Sequence, residues 1–123
     1  MPEFDLNRFL RELKEDEGVV YRIYPDPIHG AACPTLGVGH LIKQGDKHYG
    51  LPLGTAVSHT DVETYLTGDV RAALANARRL YTDFDALPTE VQLIIANMIF
   101  NLGYIGSVNS HPTNIIFLLK PLN

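Results

Sequence analysis

Apolar positions along the chain fall into helical stripes, interrupted near the N-terminus by a segment with a strand-like pattern. Leu6, Phe9, Leu10 and Leu13 recur at helical spacing. Asp5 stands where an N-cap belongs and Gly18 where a left-handed C′ residue belongs, so the pattern predicts a helix ending at about Glu17. Val19–Tyr24 is β-branched and aromatic and reads as a strand, broken by Pro25-Asp26-Pro27. A residue that precedes proline is driven towards extended backbone, so Asp26 is expected to be directionally fixed. After a turn at His29-Gly30, Thr35–Val38 reads as the returning strand, with Gly37 and Gly39 permitting close backbone approach. Residues 45–54 show no period and read as a loop.

Helical spacing then returns. Thr60-x-x-Glu63 has the form of a capping box. Behind it run Val62, Tyr65, Leu66, Val70, Ala73, Leu74, Ala77 and Leu80, which predict a helix of about 20 residues, roughly 30 Å long. Thr82–Leu87 reads as a short turn or helical piece, and Pro88 suits the first turn of a helix. Glu90–Leu102 follows, apolar on most sides and therefore a core helix, with Gly103 expected to cap it. Tyr104–Ser110 reads as a loop, and the unbroken apolar run Ile115–Leu119 is stopped by Pro121. No internal repeat or interdomain linker is evident.

Composition narrows the classes. The chain has 123 residues, 46% apolar and 20% charged, the balance of one soluble globular domain. A net charge of −4 argues against the basic footprint of a nucleic-acid binder. The one cysteine, Cys33, excludes an internal disulfide and is compatible with a reducing compartment. Met1–Phe9 carries Glu3 and Asp5 and is not a secretory signal. No stretch reaches the roughly 20 apolar residues that span a bilayer, so no stable membrane insertion is expected.

The chemistry rests on two carboxylates. Glu17 closes the first helix and Asp26 follows in the next element. Two carboxylates facing one space are the minimum equipment for cleaving a glycosidic bond. Glu17 stands at the end of the helix where the dipole disfavours a negative charge, and burial would add to that, the setting of a general acid. His29, Cys33 and His40 are metal-ligand types, but their spacing fits no standard zinc pattern. Gly37-x-Gly39 lacks the third glycine and the helix of a nucleotide loop. Neither a metal nor another cofactor is expected.

Taken together, Asp16-Glu17-Gly18, Tyr24-Pro25-Asp26 and Thr35-Leu36-Gly37-Val38-Gly39-His40 resemble the bacteriophage-type lysozymes, a family of muramidases. A second block, Ala96-Asn97-Met98-Ile99-Phe100-Asn101-Leu102-Gly103, is similar to that family's central buried helix. The resemblance covers about residues 5–103. It implies an α+β, lysozyme-like fold forming a single domain over 1–123. An N-terminal lobe (1–58) holds the first helix and a hairpin, linking and core helices follow (59–103), and the tail (104–123) is unmatched.

The implied activity is hydrolysis of the β-1,4 bond between N-acetylmuramic acid and N-acetylglucosamine, with peptidoglycan as partner and bacterial wall lysis as outcome. Glu17 would be the general acid and Asp26 the second carboxylate. Thr35 would help hold the attacking water, and inversion is implied. An inverting pair stands roughly 6.5 to 9.5 Å apart to admit that water. Leu41 and Phe100 match cleft-lining positions that contact sugar. His40 would pair with Asp69 on the long helix.

Two departures stand out. The stretch between Asp26 and Thr35 is longer than the common family hairpin by about three residues, an insertion that a hairpin tip tolerates. A change of register there would turn Thr35 to the other face. The family also continues beyond the matched region with further helices, so Ile115–Leu119 is read either as cover for exposed helix faces or as an interaction surface. The alternative function is an inactive or shortened relative that binds glycan or a partner without cutting. Chitin hydrolysis and transglycosylation are further readings. Accumulation in the producing cell's cytoplasm, with release by lysis, fits the absence of a leader.

Overall fold

The computed structural model describes residues 3–109. The architecture is mixed α+β: helix α1 (Leu6–Glu17), strands β1 (Val20–Asp26), β2 (Gly30–Gly37) and β3 (His40–Leu41), helix α2 (His59–Leu80), a 3-10 turn (Phe84–Ala86) and helix α3 (Thr89–Asn109). The strands form one antiparallel sheet in the order β1-β2-β3. The described chain divides into two compact units, a helical unit of residues 3–11 and 70–109 and a hairpin unit of residues 12–69.

Helix α1 begins and ends where its local chemistry dictates. The Asp5 carboxylate accepts the Arg8 N–H at 3.2 Å, so one otherwise orphaned donor of the first turn is satisfied. At the other end Gly18 takes φ +74° and its N–H donates to the Lys14 carbonyl at 3.0 Å, closing the last turn.

In the hairpin unit, Ile23, Leu36, Ile42, Val57 and Val62 form the buried cluster, with Val19 and Tyr65 packed against it. Strand β1 does not break at Pro25. It runs to Asp26, with Pro25 opposite Pro34 and Asp26 opposite Gly30. Ala31, Ala32 and Cys33 therefore have no partners on β1 and form a bulge in β2. Beyond the bulge Thr35 lies opposite Tyr24. The free edge of β1 is closed by the loop after β3: Ile23 N–H donates to the Thr55 carbonyl at 2.9 Å, and Val57 N–H to the Tyr21 carbonyl at 3.0 Å. Gly37 has φ +61°, and a Cβ there would lie 3.1 Å from Val62 Cγ1, so strand and helix approach closely at that point. Gly39 meets nothing within 4 Å, and what it supplies is the φ of +64° for the β2–β3 turn.

Three local expectations are corrected. Helix α2 is capped by Ser58, whose Oγ accepts the Asp61 N–H at 3.0 Å, and not by Thr60. Ser58-x-x-Asp61 and Thr60-x-x-Glu63 have similar capping chemistry, but the backbone bond from Val57 to Tyr21 holds the chain extended up to the earlier site. Gly103 does not cap α3, which continues to Asn109, so residues 104–109 are helical and not loop. One glycine costs a helix only about 1 kcal/mol relative to alanine, too little to end it. The run Ile115–Leu119 lies outside the described residues.

The helical unit is built on apolar burial. Val70, Ala73, Leu74 and Ala77 of α2 and Leu93, Ile95, Ala96 and Ile99 of α3 are buried, as is Phe84 in the 3-10 turn. Phe4 packs on Phe9 edge-on with ring centroids 5.4 Å apart, and lies 6.1 Å from Phe84. Gln92 is the buried polar residue here, and its amide donates to the Phe84 carbonyl at 2.9 Å. Core status for α3 holds on one side only, since Ile94 is 55% exposed. Among the described residues no helix is long and apolar enough to cross a membrane.

Candidate functional site

The two carboxylates singled out by the sequence stand in very different local settings. Glu17 is carried on the last residue of α1 and is exposed, contrary to the burial expected for it. With Gly18 turning the chain immediately after it, the helix end offers no cover. Asp26 ends β1 and folds back on its own turn. Its Oδ2 accepts the N–H of Ile28 at 3.0 Å and of His29 at 2.7 Å, and lies 3.0 Å from His29 Nδ1. The His29 N–H is the largest influence that holds the Asp26 carboxyl below the usual carboxylate range. The His29 ring and the Ile28 N–H act in the same direction, and the desolvation that opposes them is outweighed. Asp26 is thus a locked anion whose other oxygen, Oδ1, makes no hydrogen bond among the described residues.

Tyr24 links these two groups. Its ring is half-buried on β1, two residues before Asp26. The phenol's pKa is raised, first by burial and then by the negative charges of Asp26 and of Glu17. The direction follows because each negative charge disfavours a second one on the phenolate.

The sheet adds a row of side chains. Thr35 is the register partner of Tyr24 on one side and of Leu41 on the other. Residues directly opposite in antiparallel pairs share a face, so Tyr24, Thr35 and Leu41 line up across all three strands. Leu41 is half-buried. Thr35 is only 4% exposed, and its hydroxyl donates to the Cys33 carbonyl at 2.9 Å, a bond made possible by the bulge. That hydroxyl is spent as a donor and retains only acceptor capacity. Phe100 belongs to the helical unit, where its ring meets Phe9 edge-on at 6.4 Å. Of the residues read from the sequence, Thr35 and Leu41 share one row of the sheet with Tyr24, Asp26 stands two positions after Tyr24 on β1, and Glu17 ends the helix that precedes that strand.

On the adjoining register position, His40 is the partner of Leu36 and is 6% exposed. Nδ1 lies 2.7 Å from Asp69 Oδ2, the pair expected from the sequence, and Nε2 lies 2.8 Å from Asp46 Oδ2, which was not expected. Only the imidazolium donates from both nitrogens at once. Burial opposes the charge, yet Asp69 and then Asp46 outweigh it and raise the pKa of His40. The Tyr65 ring covers the imidazole at 4.4 Å between centroids. Asp46 escaped the sequence reading because its loop has no period, although Asp in a turn that accepts the Lys43 N–H (2.9 Å) is a local signal.

Among the described residues no group of three or more His, Cys, Asp or Glu side chains is placed to hold a metal ion. Compared with known proteins, this chain is matched by no family model and no curated sequence.

Proposed function

We propose that this chain is a peptidoglycan hydrolase of lysozyme-like fold, cutting the β-1,4 bond between N-acetylmuramic acid and N-acetylglucosamine with inversion. The observation that carries the reading is Asp26, an anion fixed by its own turn beside the row Tyr24–Thr35–Leu41, with Glu17 exposed at the end of the helix just before that strand. Glycosidases need one carboxyl to give a proton and another to remain charged, and environment assigns the roles.

In this mechanism Glu17 donates its proton to the glycosidic oxygen as the bond to the anomeric carbon breaks. Asp26, held ionised by its turn, accepts a proton from water through Oδ1, and the water oxygen bonds to the anomeric carbon from the opposite face. The products are a muramic acid reducing end of inverted configuration and a free 4-hydroxyl on the glucosamine. Thr35, with its proton committed to Cys33, accepts a hydrogen bond from the same water, and Leu41 offers an apolar wall to the sugar.

A turbidity assay on purified bacterial walls tests the reading. The wild-type chain is expected to clear the suspension and release new reducing ends. Glu17→Gln should abolish clearing while melting at nearly the wild-type temperature, and Asp26→Asn should lose most activity. Clearing by Glu17→Gln at near wild-type rate would sink the assignment, and an anhydro-sugar product would make the reaction a transglycosylation.

A second reading, glycan binding without cutting, is favoured by the exposure of Glu17 and by the near-complete sealing of Thr35. Saturable binding of wall fragments with no turnover would select it.

A further inference from the structure

We propose that Tyr24 is a glycan-contacting residue of this site, its hydroxyl donating a hydrogen bond to the sugar seated against the Tyr24–Thr35–Leu41 row beside Asp26. The inference rests on the hydrolase reading and names a contact that the sequence pattern did not single out.

Three observations on the geometry carry it. Tyr24 ends the cross-strand row Tyr24–Thr35–Leu41, so it shares a face with two residues already assigned to substrate and water. It stands two positions before Asp26 on the same strand, the spacing that returns a side chain to the same face. Its ring is half-buried, while its hydroxyl makes no hydrogen bond among the described residues. A tyrosine that buries its ring usually finds a partner for its hydroxyl, so one left open two positions from the Asp26 carboxylate is suited to a ligand.

The chemistry sets the direction of the bond. Burial and the charges of Asp26 and Glu17 all disfavour the phenolate, so the hydroxyl stays protonated and remains a donor. Both carboxylates accept hydrogen bonds, and sugar hydroxyl and acetamide oxygens do the same. A hydroxyl that can donate suits a sugar hydroxyl or acetamide oxygen, while the charge of the nearby Asp26 disfavours a ligand carboxylate at that point. The polar tip and apolar ring also match a sugar's mixed surface.

Tyr24→Phe removes the oxygen and keeps the ring. The wild type and this variant are compared for wall clearing and for binding of a soluble N-acetylglucosamine–N-acetylmuramic acid oligosaccharide, the latter in a Glu17→Gln background to prevent turnover. The expected result is a fall in oligosaccharide affinity of about threefold to tenfold, the loss of one neutral hydrogen bond. The same factor should appear in kcat/KM, mainly through KM, with an unchanged melting temperature. Equal affinity of Glu17→Gln with and without Tyr24→Phe, alongside active wild-type protein, would overturn the Tyr24 contact and leave the hydrolase reading intact. If the wild type neither clears walls nor binds the oligosaccharide, both fall together. A readout that needs no variant to fold is the Tyr24 ring-carbon Cζ signal in wild-type protein, followed by NMR as oligosaccharide is added. Movement on saturation supports the contact, and a stationary signal refutes it.

Discussion

The helical unit and the hairpin unit solve the same problem, burying enough surface to stay folded, by different means. The helical unit relies on apolar side chains at 3.6-residue spacing, and Gln92, its buried polar group, is satisfied by one backbone carbonyl. The hairpin unit buries a smaller apolar cluster and places polar groups beside it: Thr35, His40 and His48 are all buried there. Each is satisfied by a neighbour, Thr35 by the Cys33 carbonyl, His40 by Asp46 and Asp69, and His48 by the Tyr65 hydroxyl at 3.0 Å. Apolar burial has no protonation state, whereas a polar network does. In the helical unit the Glu90 carboxyl, held below the usual carboxylate range by Arg8, is exposed and titrates only in acid, so between pH 5.5 and pH 8 that unit should be indifferent to pH, and the hairpin unit should not.

The largest expected effect tests the apolar side. Phe84 is 0% exposed, and Phe84→Ala should cost about 3–5 kcal/mol through lost burial and the cavity left behind. Urea unfolding at pH 5.5 and at pH 8 should give the same loss at both. A loss that changes strongly with pH would mean that the two units are not distinct in this respect.

Next in size is the network around His40. Its folded-state pKa lies above the ordinary 6.5, so the folded chain holds the proton more tightly than the unfolded chain. The resulting stability is fully present below about pH 6.5 and is lost as pH rises through the raised folded value. Asp46 acts with the opposite sign: its carboxyl lies below the ordinary 3.8, with burial opposing the shift and the Lys43 N–H and His40 outweighing it. Its contribution is present above about pH 3.8 and lost as pH falls through the folded value. Asp69→Asn should therefore cost about 1–3 kcal/mol at pH 5.5, less than a fully buried pair because Asp69 is part-exposed, and distinctly less at pH 9. Denaturation curves across this range check the slope, and a flat wild-type profile between pH 6 and pH 9 would break the contrast.

The smallest effect sharpens the boundary of α2. Ser58→Ala removes the hydroxyl that accepts the Asp61 N–H and should cost about 1 kcal/mol. Thr60→Ala should cost much less, and thermal melting of the two variants side by side decides between the two capping sites.

How much of this was legible in advance depended on how local the cause is. Asp5, the apolar stripe and Gly18 act within α1 itself, and each did what its residue type dictates. The start of α2 was misread because two similar caps lie two residues apart and a backbone bond from a distant strand chooses between them. The end of α3 was misread because a glycine was weighed without the rest of its helix. At the site, the sequence supplied the two carboxylates and the hairpin but not the bulge, since extra length says nothing about where it is absorbed. Tyr24 entered the sequence reading only as a strand residue and as part of the Tyr24-Pro25-Asp26 block, with no role of its own, although its place two positions before Asp26 was a signal that alternation could have supplied.

By itself the sequence determined the three helices and the β1–β2 hairpin in their order, the turn that follows Asp26, and the helix end that carries Glu17. These depend on backbone preferences and bonds that span a few residues. Only the tertiary structure decided the register that sets Tyr24, Thr35 and Leu41 in one row, the bulge that commits the Thr35 hydroxyl, and the second carboxylate on His40. Those depend on pairings between distant segments, whose free energy comes from burial and complementarity that no short stretch of chain contains.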